Sequence, residues 1–107
     1  MITKKTDDGY KTPIDGIHFK TLCYGDKSLM AEFRLEKDNV LPEHTHPHEQ
    51  TGYLVSGRIN LIIDGVKNEI YPGDSWNIGG DVPHSAEVIE DSVAIEVFSP
   101  VREDYLP

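Results

Sequence analysis

Cysteine is almost absent from this chain: one residue, Cys23, in 107. A lone thiol makes no intrachain disulfide, and a reducing cytosol suits it. Its place in a β-type run predicts a buried structural thiol rather than a nucleophile. Runs of lysine or arginine are missing as well. With 10 basic against 19 acidic residues the formal charge is −9, which argues against nucleic acid or an anionic membrane surface as partner and favours plain solubility. No segment approaches the ~18 apolar residues that span a bilayer. The first eleven residues are charged and lack the apolar stretch of a signal peptide, so the expected compartment is the cytoplasm. Hydrophobic residues are also sparse, at 37% with a mean hydropathy of −0.44. A polar-lined cavity or a dimer interface would account for so lean a composition in a chain long enough for a single core.

A sustained helical period is absent too. What is present is a series of short β-like runs: residues 17–24, 28–36, 51–55, 58–63, 66–71, 75–78, 83–89 and 92–98. In the second of these Leu29, Ala31, Phe33 and Leu35 share one face, with Met30, Glu32, Arg34 and Glu36 on the other. Both faces are candidates for burial, one in a core and one against a partner. Asp64-Gly65 between two apolar runs is a strong hairpin signal. Gly25-Asp26, Ser56-Gly57, Pro72-Gly73 and Gly79-Gly80 punctuate the rest. The pattern predicts an all-β antiparallel sandwich or barrel over residues 17–107, with residues 1–16 as an extended N-terminal arm and Glu103, Asp104 and Tyr105 forming a turn of helix at the end.

Four of the five histidines lie in two stretches, His44-Thr45-His46-Pro47-His48-Glu49-Gln50 and Asp81-Val82-Pro83-His84. On a strand, residues two apart point the same way. That parity puts His44, His46 and Gln50 on one face, with His84 able to close the set from a second strand. Three imidazoles and an amide oxygen make a divalent-metal site; a surface loop rich in histidine is the plainer alternative. His48 has matching parity, but Pro47 disturbs the strand beside it, and a place at the rim fits it better. Glu49 points to the opposite face, and His18 reads as an ordinary strand residue. In residues 94–104, Ile95 and Val97 share the greasy face and leave Glu96 and Phe98 on the other. Parity leaves open whether Glu96 is a cavity carboxylate or faces solvent, and whether Arg102 folds over a cavity mouth or lies on the surface.

The two histidine stretches resemble the paired motifs of the cupin family. The first reads His44, His46, Gln50, Gly57, with Gln where Glu is usual. The second has Gly73 and His84 in their places, while Gly79, Asp81 and Val88 depart from it. The fifteen residues between Gly57 and Gly73 fit one hairpin. The resemblance implies a small jelly-roll β-barrel holding one divalent transition metal, whether zinc, nickel, iron, manganese or cobalt, through His44, His46, Gln50 and His84. It also implies a homodimer.

The terminal Val97-Phe98-Ser99-Pro100-Val101-Arg102-Glu103-Asp104 is similar to a subgroup of single-domain cupins that ketonise unsaturated uronic acids, the KdgF type. That likeness implies catalytic roles for Glu96, Phe98 and Arg102, with Glu standing where the subgroup carries Asp. The extra methylene moves the carboxylate by about 1 Å, enough to bear on substrate choice. The expected activity is therefore ring-opening ketonisation of a 4,5-unsaturated uronate, a small sugar acid, by Lewis-acid and acid–base catalysis. A neutral Gln ligand leaves the full charge of a dication facing the substrate, which favours polarisation over redox cycling. The alternatives are a cupin dioxygenase and a small-molecule-binding module without turnover.

Overall fold

Every regular element is a strand except one terminal turn. In the computed structural model, which describes residues 1–107, β1 spans Lys11–Ile14, β2 Ile17–Tyr24, β3 Leu29–Leu35 and β4 Val40–His44. Then follow β5 Glu49–Ile63, β6 Val66–Ile70, β7 Ser75–Ile78 and β8 His84–Ser99, with a 3-10 turn at Glu103–Tyr105. All pairings are antiparallel, in the order β1-β2-β3-β8-β5-β6, with β4 also on β8 and β7 also on β5.

Two long bent strands close this sheet into a barrel. The first half of β8 pairs with β4 and the second half of β5; its second half pairs with β3 and the first half of β5. The register breaks between Ser56 and Arg58. There Gly57 takes φ 88°, and a Cβ on it would sit 2.2 Å from the Ser92 hydroxyl, so only glycine turns this corner. Ser92 Oγ accepts from the Arg58 N–H at 2.9 Å and donates to the Glu90 carbonyl at 2.7 Å, fastening the bend. The runs 51–55 and 58–63 are thus one strand, and so are 83–89 and 92–98. Ser56-Gly57 is a bulge and not a chain reversal. Asp64-Gly65 does reverse the chain, with φ 50° and 80°, the positive pair that a two-residue hairpin of the right twist requires. β4 carries no strong β pattern because Pro42 interrupts it; pairing with β8 alone, it is an edge where proline is tolerated.

Alternation along β8 decides which side chains enter the barrel. Ala86, Val88, Ala94 and Phe98 point in and are buried. Leu54, Ile59, Leu61 and Ile78 meet them from β5 and β7. A smaller cluster of Leu29, Ala31 and Phe98 packs against Tyr105 of the terminal turn. A cavity of ≈ 90 Å³ is lined by residues from both clusters.

Two packing expectations are corrected. The outward face of β3 is covered by the chain's own arm: the Tyr10 hydroxyl donates to Glu32, and the Arg34 guanidinium lies 4.6 Å from the Tyr10 ring. Residues 11–14 of that arm, expected to be only extended, pair with β2 as a strand. Cys23 is half-buried rather than buried, because the β2–β3 register slips between Thr21 and Tyr24 and neither face of that strand end is sealed.

Candidate metal centre and its cavity

His44 closes β4 and His84 opens β8, and the two are direct partners across that pair. His46 is not on a strand. Pro47 offers no N–H to a ladder, and residues 45–48 form a loop that leads into β5. Strand parity therefore does not place His46, yet the loop brings it to the same point. The Asp81 N–H donates to the His46 carbonyl at 2.8 Å. Gly80 lets the Pro47 carbonyl approach to 2.5 Å of where a Cβ would stand. This clasp sets the three imidazoles together: the ligating nitrogens of His44, His46 and His84 lie within 4.8 Å of one another.

The tautomers follow from the backbone. His44 Nδ1 bonds to the Pro42 carbonyl at 2.8 Å, His46 Nδ1 to the His48 carbonyl at 2.9 Å and His84 Nδ1 to the Val82 carbonyl at 2.8 Å. A carbonyl only accepts, so each Nδ1 carries the proton and each Nε2 keeps its lone pair. His84 Nε2 is buried with no hydrogen-bond partner. His46 Nε2 faces Gln50 Oε1 at 3.0 Å, one acceptor against another. Burial lowers the pKa of both His46 and His84, with Arg102 adding to the effect on each. Neutral rings with converging lone pairs and an orphaned buried acceptor fit a cation. Three imidazoles and an amide oxygen suit a divalent transition metal, and the backbone carbonyls behind them hold the rings as outer partners of metal ligands generally do.

Gln50 enters from β5, opposite Phe98 on β8, so Glu96 is its diagonal neighbour on the inner face. Glu96 is only 7% exposed. Burial pushes its carboxyl up to about 8, against hydrogen bonds from the Gln50 amide and the Trp76 indole that pull the other way. Trp76 Nε1 stands 3.1 and 3.3 Å from the two oxygens. Glu96 is thus the cavity carboxylate of the two readings that parity allowed. Phe98 meets His46 edge-on, with ring centroids 5.7 Å apart. Arg102 also lines the cavity, its side chain 16% exposed. Its guanidinium lies 4.0 Å from the Tyr105 ring centroid and 5.1 Å from that of Phe98, and Nε donates to Asp104 at 3.1 Å.

His48 contributes its carbonyl rather than its ring. Glu49 points outward and is exposed. His18 sits apart between Thr12 and Glu36, each at 2.6 Å. Trp76, Gly52 and Tyr105 belong to the site but carry no motif. A glycine inside a strand was the available signal, since it marks close approach by another group.

The family model for the cupin domain matches residues 31–99, from β3 to the end of β8. The chain belongs to the cupin family. This cupin is 31% identical over 94 residues to the pectin degradation protein KdgF of Dickeya dadantii (strain 3937), covering 86% of each chain. Its fold superposes with a TM-score of 0.92 on KdgF from Halomonas sp., at 27% identity and covering 99% of this chain and 98% of that one. An RmlC-like cupin from Shewanella frigidimarina NCIMB 400 gives a TM-score of 0.91 at 25% identity, covering 98% and 95%. The fold is the antiparallel cupin barrel that the motifs imply. Asp81, at a glycine position of the second cupin motif, has φ 63°, so the departure leaves an L-residue in the conformation glycine usually takes.

Proposed function

We propose that this cupin is a metal-dependent enzyme that opens the ring of 4,5-unsaturated uronates and yields their open-chain keto forms. The observation that carries the reading is one cavity lined by His44, His84, Gln50, a buried carboxylate and an arginine, with His46 completing a tautomer-fixed histidine triad beside it. The 31% identity to a protein named for pectin degradation supports the substrate class. His44, His46, His84 and the Gln50 oxygen would hold one divalent transition metal. Bound there, it would supply Lewis acidity to an adjacent substrate oxygen, and the neutral amide ligand would leave its charge undiminished.

The remaining chemistry belongs to the chain. In the substrate, an enol-ether double bond adjoins the ring oxygen and the carboxylate. Arg102, buttressed by Phe98 and Tyr105, presents a planar cation suited to grip that carboxylate. Removal of the anomeric hydroxyl proton lets the bond from C1 to the ring oxygen break. C1 becomes the aldehyde, and the electron pair is left on the former ring oxygen as an enolate. A proton delivered to C4 then leaves a ketone at C5. Glu96 can take up the first proton and return it, so the reaction is an isomerisation without a co-reactant. Phe98, 1% exposed, keeps water from the wall beside the developing charge.

We place this reaction in the cytoplasm and in a homodimer. Outward-facing Tyr53 and Val55 on β5 adjoin half-buried Val93, Ile95 and Val97 on β8. That apolar strip supports self-association. The deciding assay supplies 4,5-unsaturated galacturonate to metal-loaded protein and follows loss of the ultraviolet absorbance of the conjugated double bond. Activity should vanish on chelation. Glu96→Gln should keep the metal and lose roughly 10²–10⁴-fold in turnover. Arg102→Ala should raise KM and lower kcat together, because its grip acts on substrate and enolate alike. A wild type that is inert beside an active Glu96→Asp would mean the chain has moved to another substrate. Inertness of both with metal bound would overturn the reading.

A further inference from the structure

Gln50 is an ambiguous ligand in a way that a histidine or a carboxylate is not. Its amide has an oxygen at one end and an NH2 at the other, nearly equal in size, and only the oxygen can coordinate a cation. Something must decide which end faces the triad. Oε1 is aimed at His46 Nε2, 3.0 Å away, which turns the NH2 end away from the triad, and Glu96 is the diagonal neighbour of Gln50 on the same inner face, its carboxyl held down by the Gln50 amide. Glu96 is itself held from the far side by Trp76 Nε1 at 3.1 and 3.3 Å. Glu96 thus accepts from the indole N–H on one side and offers an acceptor to the amide NH2 on the other, while the amide oxygen faces the histidines.

Space for this chain is made at Gly52. It pairs with Glu96 on one side and with Trp76 on the other. A Cβ at position 52 would lie 2.2 Å from the Trp76 indole nitrogen and 2.4 Å from Glu96 Oε2. Neither can retreat cheaply, because Trp76 is packed in the main core cluster and Glu96 is enclosed.

We propose that Glu96, clamped by Trp76 across the vacancy at Gly52, is the positioning residue that keeps the oxygen of Gln50 turned toward the three histidines. This role rests on the metal-site reading and comes in addition to the proton-transfer role assigned above. It depends on Glu96 as an acceptor fixed in place, and it acts on cation affinity before any substrate arrives.

The test measures Ni²⁺ affinity of the folded protein at neutral pH by competition with a chromophoric chelator, without substrate. Glu96→Leu removes the acceptor with little change of volume, and Ni²⁺ affinity should fall by about 10–100-fold, the usual cost of losing an outer partner of a metal ligand. Glu96→Gln still offers an oxygen to the Gln50 NH2 and should stay nearer to wild type than Glu96→Leu. The decisive comparison repeats Glu96→Leu in a Gln50→Glu background. A carboxylate has oxygens at both ends and needs no orienting partner, so there the substitution should cost only a few-fold or even raise affinity. A structural collapse caused by the Glu96→Leu substitution would instead lower affinity equally in both backgrounds, and that result would overturn the proposal. So would Glu96→Leu binding Ni²⁺ as tightly as wild type. If wild type takes up no Ni²⁺, zinc or manganese, the metal reading itself falls and the orienting role goes with it.

Discussion

A single proton position on each ring separates a metal site from a cluster of histidines. Carbonyls of Pro42, His48 and Val82 take the three Nδ1 protons, so the chain commits its Nε2 lone pairs to one point before anything binds. His84→Ala should abolish stoichiometric metal uptake, measured by elemental analysis of untagged protein, because it removes the most enclosed of the three donors, 2% exposed. Glu96 gives a second prediction, for metal-free protein. Its carboxyl is raised from 4.5 to about 8 in the fold. Below 4.5 both folded and unfolded chains hold the proton; between the two values only the folded chain does; above about 8 neither does. Its contribution is thus present at low pH and lost as pH rises through that window, at about 1.4 kcal/mol per pKa unit. Denaturant titrations of metal-free wild type and Glu96→Gln should diverge in favour of the variant from about pH 5 to about 8 and run parallel above. His46 and His84, with lowered pKa values, act in the opposite sense. They withdraw stability as pH falls below about 6.5, equally in both proteins.

At the scale of elements, the site is made by two loops clasped between strand ends. Asp81 donates to the His46 carbonyl while held at φ 63°. Asp81→Gly keeps that N–H and relieves a left-handed conformation that costs an L-residue about 1–2 kcal/mol, less glycine's own entropic penalty. A net gain of about 0.5–1 kcal/mol should appear as a higher midpoint of urea unfolding with unchanged metal affinity. This clasp also marks the limit of what the sequence discloses. The grouping of His44, His46, Gln50 and His84 was implied by family likeness, although His46 reaches it from a loop and not by strand parity; alternation put Glu96 and Phe98 on one face but left open whether that face looks inward. The loop around Pro47 was not, because its path is set by packing against residues 79–82, far along the chain. Trp76 and Gly52 stayed hidden for a related reason: neither side of their contact implies the other until β5 and β7 are paired. The two bends at Gly57 and Ser92 likewise read as strand ends, since a glycine marks a bulge and a turn with the same letter.

At the scale of the whole molecule, one apolar strip remains outside. Tyr53 and Val55, each 49% exposed, lie beside Val93, Ile95 and Val97. Sedimentation at micromolar concentration should give twice the 12.0 kDa of the chain, and Ile95→Glu should return it to that mass with metal content unchanged. A purely monomeric wild type would refute the assembly. One further property follows from where Trp76 stands. It is the chain's only tryptophan, and its indole nitrogen is bound to the Glu96 carboxylate in the cavity beside the histidine triad. The tryptophan emission of the entire protein therefore comes from the cavity wall. A spectrometer needs no label to see this site: cation arrival, ionisation of Glu96 and the entry of a ligand should each alter the same emission band.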